Sequence, residues 1–214
     1  MKEANNYYNQ TRSEVANFVP SNIKSILDIG CSQGDFLKLV KEQTGAETWG
    51  IEVVTEIAEE AINKIDHVLV GKIEELINSI PNGYFDCISF NDVLEHLIEP
   101  IDVLKMMRFK LSENGIIIAS IPNVRYFFNL RDLLIYKDWH YTDSGILDST
   151  HIRFFTQKSM KRLFEEAGYI IIRQKGINKI NSWKFKLFNS LTFGFFTDTK
   201  YLQFVCIAKT NKSK

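Results

Sequence analysis

The stretch ILDIGCSQGDF, residues 26–36, decides how the rest of the chain is read. Ile26, Leu27 and Ile29 flank Asp28 in a short β-rich run over 24–29 that stops at Gly30. A helix follows over 34–43, with Phe36, Leu37, Leu39 and Val40 on its buried face. A glycine turn directly after a first strand lets backbone approach a ligand at the carboxyl end of a sheet, and the free N–H groups of the next helix point to the same place. Two phosphate-binding spellings are excluded. A GxGxxG turn starting at Gly30 needs glycine at 32 and 35, where this chain has Ser32 and Asp35, and no GK[ST] occurs. What remains is D-x-G-x-x-x-G over Asp28, Gly30 and Gly34, with Glu52 at the end of the next strand, where a carboxylate accepts ribose hydroxyls.

Outward from that turn the pattern repeats. Apolar runs at 47–52, 67–70, 84–90 and 115–120 read as further strands, and helical spacing at 55–64, 72–79 and about 99–110 alternates with them. Continuous runs such as Ile116-Ile117-Ile118 suit strands covered on both faces. The alternation predicts an α/β fold, a doubly wound, mostly parallel sheet. Residues 5–19 have helical spacing up to Pro20, and Asn114-Gly115 reads as the turn before the fifth strand. After it the rhythm breaks into an aromatic, Asp-rich insertion over 123–153. A helix over 156–167, opened by Thr156 and closed by Gly168, leads to strands at 169–175 and 201–209. Between these lies a second insertion, 176–200, rich in Trp and Phe. The expected domain is 1–209, with 210–214 a frayed tail.

Composition bounds the partners. Lys+Arg and Asp+Glu are both 26, so the net charge is zero and the basic excess that grips nucleic acid is missing. Cys31, Cys87 and Cys206 are odd in number and far apart, which excludes a disulfide scaffold and fits a reducing compartment. The first residues carry no apolar leader and no run reaches the length of a membrane span, so a cytoplasmic location is expected.

The spellings LDIGCSQG, GIE and FDCISFNDVLEHLIEP, with the later HIRFFTQKSMKRLFEEAGY, resemble class I S-adenosylmethionine-dependent methyltransferases. The resemblance covers about residues 7–175 and points to the ubiquinone-biosynthesis-like and glycan-pathway-associated branch. It implies a Rossmann-like seven-stranded sheet whose last strand is antiparallel. It also implies S-adenosylmethionine as cofactor, with S-adenosylhomocysteine as product. Gly30, Cys31 and Gly34 would line its methionine and adenosine parts, Asp28 would orient the loop and the amino group, and Glu52 would hold the ribose. Asn91 and Asp92 would flank the methionine moiety. Two departures stand out. Ser32 replaces the middle glycine of the family's GxGxG, which is tolerable if it avoids positive φ. Lys72 stands where the family often has Asp, so the adenine is expected to meet backbone near Ile73.

Methyl transfer is an in-line displacement in which the protein aligns the nucleophile and can take its proton. Of four histidines, His67 begins a strand and reads as structural, and His140 sits in an aromatic segment that stacks on a ring or simply packs. Asp92, Glu95 and His96 fall at i, i+3 and i+4, so one helical face presents all three. In the ubiquinone-type relatives this set can hold a divalent cation, the less favoured alternative to a direct role for His96. His151 and Arg153 alternate on an extended stretch and are candidates for a base and an acceptor clamp, or else they tie down the insertion. Tyr7, Tyr8 and Arg12 either cover the cofactor or pack on the surface. The aromatic and lysine-rich 176–200 segment suits a lid, a homodimer contact or peripheral membrane contact. The expected activity is O-methylation of a small-molecule, sugar or lipid-linked glycan acceptor. The alternatives are N- or C-methylation, or a noncatalytic cofactor-binding module.

Overall fold

The computed structural model describes residues 12–211. Seven strands form one sheet: β1 (Ser25–Ile29), β2 (Glu47–Glu52), β3 (His67–Val70), β4 (Phe85–Asn91), β5 (Leu111–Pro122), β6 (Tyr169–Lys179) and β7 (Tyr201–Thr210). Their spatial order is β3-β2-β1-β4-β5-β7-β6. The pairs from β3 to β5 are parallel, whereas β7 runs antiparallel to both β5 and β6. This is the expected Rossmann-like α/β sheet with an antiparallel last strand.

The helices are α1 (Ser13–Ala16), α2 (Asp35–Thr44), α3 (Thr55–Ile62), α4 (Ile73–Leu76), α5 (Pro100–Met107), α6 (Phe127–Arg131), α7 (Gln157–Glu166) and α8 (Trp183–Leu191). Alternate strand residues feed two apolar layers, because successive side chains leave opposite faces of a strand. Leu27, Ile29, Ile88 and Phe90 join one, while Ile26 and Cys87 join the other with Phe36, Leu37 and Val40 of α2. The strand order reverses between β1 and β4, and the crevice outside their carboxyl ends is where such sheets bind ligands.

Several expectations are corrected. Of the helix expected over 5–19, the described residues hold only α1, and Tyr7 and Tyr8 lie outside them. Asp92, Glu95 and His96 are not on a helix: α5 begins with Pro100 at its first position, and 92–96 form a turn. Asn114-Gly115 does not end a loop but lies within β5, where the register against β4 slips between Phe85 and Cys87 and absorbs the extra residues. β6 continues past 175 to Lys179, because β7 offers it pairs as far as Tyr201. The tail is ordered further than expected: Thr210 pairs with Tyr169 and the Asn211 N–H donates to the Gly168 carbonyl at 2.9 Å. Residues 212–214 lie outside the described chain.

The signals around 156–168 hold. Thr156 caps α7 in a reciprocal pair with Ser159, and Gly168 closes it at φ 86°. The 123–153 insertion forms α6, a π-helical turn (Asp132–Tyr136) and an irregular return. The second insertion holds the end of β6, α8 and a 3₁₀ turn (Thr197–Lys200). No described helix is long and apolar enough to cross a membrane.

Candidate functional site

The turn after β1 is pinned across to β2. The N–H groups of Gly30 and Cys31 both donate to the Ile51 carbonyl, at 2.8 and 2.9 Å. Gly30 lies at φ 73°, and a Cβ there would stand 2.6 Å from Val93 Cγ2, so glycine is required both by conformation and by space. Gly34, at φ 79°, caps the N-terminus of α2. Ser32 does not meet the condition of avoiding positive φ: it sits at 49°, a conformation that costs a non-glycine residue about 1–2 kcal/mol. Held this way, its N–H donates to Glu52 Oε2 at 2.9 Å. Glu52 Oε1 accepts from the N–H groups of Val53 and Val54 at 2.8 and 3.0 Å. Three backbone donors thus orient this carboxylate and leave it acceptor capacity for one further group.

Asp28 is 2% exposed. Its Oδ1 accepts from Ser89 Oγ at 2.7 Å and Asn91 Nδ2 at 3.2 Å, across the β1–β4 crevice. Burial pushes its carboxyl up to about 8, with the Glu52 charge acting the same way and the two hydrogen bonds opposing. Asn91 Oδ1 is buried with no hydrogen-bond partner, an acceptor beside a carboxyl. Burial pushes the Cys31 thiol far above its ordinary value, so Cys31 is an inert wall residue. Asp92, at φ 55°, accepts from the Arg12 guanidinium on Oδ2 and from Gln203 Nε2 on Oδ1 at 2.8 Å.

These groups line one cavity of about 850 Å³, within the usual range for a small-molecule site. Asp28, Gly30, Cys31, Glu52, Ile73, Asn91 and Asp92 are all on its wall, and Arg12 and Lys72 join them. Gly34 is not on that wall; its N–H donates to the Cys31 carbonyl at 2.9 Å and it starts the helix. Ser89 and Gln203 brace the site, although the sequence pattern singles out neither. A serine in the otherwise apolar run Cys87–Phe90, two residues before Asn91, was the available signal. Gln203 has no local signal, because the contact joins residues far apart in the chain.

The far side of the cavity is built from His96, Leu97 and Ile98 facing Asp143 and Asp148–Thr150 of the first insertion. His96 Nδ1 lies 3.2 Å from the Thr150 carbonyl, which only an N–H can approach, so Nδ1 carries the proton and Nε2 is the acceptor. Burial and the neighbouring His151 hold the His96 imidazole below its ordinary pKa. Although burial opposes it, the Thr150 hydroxyl and N–H keep Asp148 below the usual carboxylate value.

His151 and Arg153 are not on the cavity wall, contrary to the expectation that they form its polar working pair. His151 is buried behind His96, the rings 4.7 Å apart edge to face, and its Nδ1 is tied to the Ile146 carbonyl at 2.9 Å. Arg153 donates from Nε to the Leu97 carbonyl at 3.1 Å and from Nη2 to that of Ile98, so it braces the loop that carries His96. Behind both lies Glu95, 1% exposed, with neither carboxylate oxygen hydrogen-bonded. Burial pushes its carboxyl up to about 8. The cation candidates are therefore regrouped: Asp92 is engaged elsewhere, and Glu95, His96 and His151 bring one ligand atom each within 4.8 Å of one another. His67 stacks on Trp49 and bonds Glu47, while His140 is exposed; neither lines the cavity.

Residues 4–174 match a family described as a methyltransferase domain. Among curated proteins the chain is 31% identical over 104 residues to the mitochondrial ubiquinone biosynthesis O-methyltransferase of Schizosaccharomyces pombe, a match covering 45% of this chain and 37% of that protein. Among solved structures it is similar to an S-adenosylmethionine-dependent methyltransferase of Archaeoglobus fulgidus, with TM-score 0.70, 21% identity and 92% of each chain covered. A putative methyltransferase of Haloferax volcanii, solved in complex with the activator Trm112, gives TM-score 0.68 at 12% identity, covering 98% of this chain and 92% of that one. At these identities the structural likeness speaks for the fold.

Proposed function

Because the chain belongs to the methyltransferase-domain family, as a class I S-adenosylmethionine-dependent enzyme, we propose that it methylates a hydroxyl oxygen of a small-molecule, sugar or lipid-linked glycan acceptor, with His96 as the group that takes the proton. The residues present fit the cofactor. Asp28 and the unpartnered Asn91 Oδ1 are paired acceptors for an ammonium group, and Glu52 is an oriented acceptor for a ribose hydroxyl. The backbone at Lys72 and Ile73 serves the adenine. When bound, S-adenosylmethionine supplies an electrophilic methyl on a sulfonium centre.

The observation that carries the oxygen assignment is the 3.2 Å contact of His96 Nδ1 with the Thr150 carbonyl. That carbonyl can only accept, so Nδ1 carries the proton and leaves Nε2 as an acceptor on an imidazole whose pKa burial lowers. A hydroxyl must lose its proton as it is alkylated, so it needs such a base, whereas an amine can be alkylated first and lose its proton afterwards. With that methyl as the electrophile, the acceptor oxygen would be the nucleophile and Nε2 of His96 would take the hydroxyl proton. Arg153 positions the 97–98 backbone, and Asp148 and Thr150 close the acceptor side. The oxygen assignment also agrees with the chemistry named for the fission-yeast relative.

A second reading of the same wall is supported by Glu95: two buried oxygens without a hydrogen bond, Oε1 lying 3.8 Å from His151 Nε2, beside two imidazoles are a donor set for a divalent cation. The 4.8 Å spread exceeds the roughly 3.4 Å between ligands of a tetrahedral zinc ion bound at ~2.1 Å, so the cluster would have to close on the metal.

The test is an acceptor screen with methyl-labelled S-adenosylmethionine over phenols, sugars and lipid-linked glycans, followed by analysis of the labelled bond. A methyl ether is expected. Label on nitrogen or carbon overturns the oxygen assignment and leaves the cofactor side standing.

A further inference from the structure

The second insertion carries chemistry that the methyl-transfer site does not use. Between Glu166 and Asp198 the chain has no acidic residue but five cations, Arg173, Lys175, Lys179, Lys184 and Lys186, although the protein as a whole has zero net charge. Within this segment α8 is turned the wrong way for a helix that only covers a core. Phe185 alone among its residues is buried, packed against Phe127 of the first insertion at 5.3 Å. Trp183, Leu187 and Leu191, at i, i+4 and i+8, form an outward stripe, with Trp183 69% and Leu191 71% exposed. The turn that follows holds Phe193 at φ 51° and 100% exposed. A large aromatic side chain in a left-handed conformation and in full contact with water gains nothing from the fold around it.

Beside this stripe lies a cleft of about 480 Å³, separate from the cofactor cavity. Lys179, Lys186 and Lys200 line it from the end of β6, α8 and the 3₁₀ turn, with Asn181, Asn189 and Ser190 between them. No carboxylate of the described residues pairs with any of the three lysines. Three cations and several neutral hydrogen-bonding groups facing one cleft suit a phosphate oxygen cluster. An apolar stripe next to it suits the acyl region beneath that phosphate.

We propose that α8 and its following turn are a peripheral docking surface for an anionic lipid bilayer, in which Trp183, Leu187, Leu191 and Phe193 enter the headgroup–acyl boundary and Lys179, Lys186 and Lys200 take lipid phosphates. The charge pattern selects this occupant over a second copy of the chain. A two-fold symmetric contact through this face sets lysines against lysines, while Asp198, two residues before Lys200, is already engaged by Arg125. No described helix crosses a membrane, so the attachment is to the surface. It is independent of which acceptor the enzyme methylates.

The experiment is co-sedimentation of the full chain with vesicles of phosphatidylcholine, alone or mixed with phosphatidylglycerol, at low and high salt. Binding to the anionic vesicles, release by salt and little binding to phosphatidylcholine alone are expected. Lys179→Glu with Lys186→Glu, and separately Leu191→Ser with Phe193→Ser, should each lower partitioning about tenfold or more. All four side chains are exposed, so S-adenosylhomocysteine affinity and thermal stability serve as controls and should stay unchanged. No sedimentation with anionic vesicles at low salt overturns the proposal, as does binding indifferent to both double variants. A dimer in sedimentation velocity that Phe193→Ser dissolves, with no vesicle binding, assigns the face to a second copy instead.

Discussion

The Ser32 backbone N–H donates to Glu52 Oε2 at 2.9 Å, so the residue that turns the first loop also fixes the carboxylate at the end of the second strand. The two signals that stood apart in the sequence are one device. Replacing Glu52 would remove the acceptor proposed for the cofactor's ribose and the carboxylate to which the N–H groups of Ser32, Val53 and Val54 donate. Glu52→Ala is expected to weaken S-adenosylhomocysteine binding by roughly 1.5–3 kcal/mol, the cost of a charge-assisted hydrogen bond. Glu52→Gln should do little better, since a carboxamide presents an N–H₂ to donors that need an acceptor. Calorimetric titration checks both, and wild-type affinity in folded Glu52→Ala would falsify the ribose assignment.

Ser32 itself offers an opposite test. Its positive φ carries about 1–2 kcal/mol of strain that glycine would not have, against roughly 0.5–1 kcal/mol of extra backbone entropy that glycine loses on folding. Ser32→Gly should therefore raise stability by about 0.5–1 kcal/mol while leaving the Glu52 contact, which uses only backbone, in place. Denaturant unfolding measures it. A destabilised variant would mean that the serine side chain is worth more than the strain.

The pH dependence of Asp28 follows from its burial. An ordinary aspartate loses its proton near 4, and in the fold this carboxyl keeps it to about 8. Between those values the native state binds a proton that the unfolded state has lost, so this group makes stability fall as pH rises through that window and level off above it. Asp28→Asn mimics the protonated acid and should flatten that part of the stability–pH curve from pH 5 to 9. It should also weaken S-adenosylhomocysteine by about tenfold or more, because an ammonium group loses its charged partner. In the wild type, binding at pH 7 should release a proton as Asp28 ionises. Titration in buffers of different ionisation enthalpy reads this directly, and no proton release removes the ammonium from Asp28.

How much of this was legible depends on whether a signal is local. The β1 turn, Glu52 and the Thr156 cap were readable because strand–glycine–helix order, a strand-end acid and a capping residue act within a few positions. The Asp92–His96 segment misled because a 3.6-residue spacing occurs by chance in five residues. Asp92 takes a left-handed φ and Pro100 starts the helix only later, so the segment is a turn. Alternation on an extended stretch puts His151 and Arg153 on one face, and nothing local tells whether that face meets a cleft or the interior. The burial of His151 depends on Glu95 and His96, distant in the chain, closing over it while Ile146 of its own segment holds the ring, which no spacing rule encodes.

The acceptor wall separates the two readings of His96. If Nε2 takes the proton, His96→Gln should lower kcat about 10²–10⁴-fold while S-adenosylhomocysteine binds as before. His151→Gln should cost less in rate but more in thermal stability, since His151 is buried and anchored to the Ile146 carbonyl rather than to the cavity. Arg153→Ala frees the Leu97 and Ile98 carbonyls and should raise KM for the acceptor, because the loop that carries His96 loses its brace. Exhaustive chelation is expected to leave turnover intact. If instead chelation abolishes turnover, Mg²⁺ or Zn²⁺ restores it, and Glu95→Gln is as damaging as His96→Gln, the wall is a cation site. His96 then acts as a ligand, since removing a ligand from a three-residue donor set costs the metal itself, whereas a base acting alone has no reason to depend on Glu95.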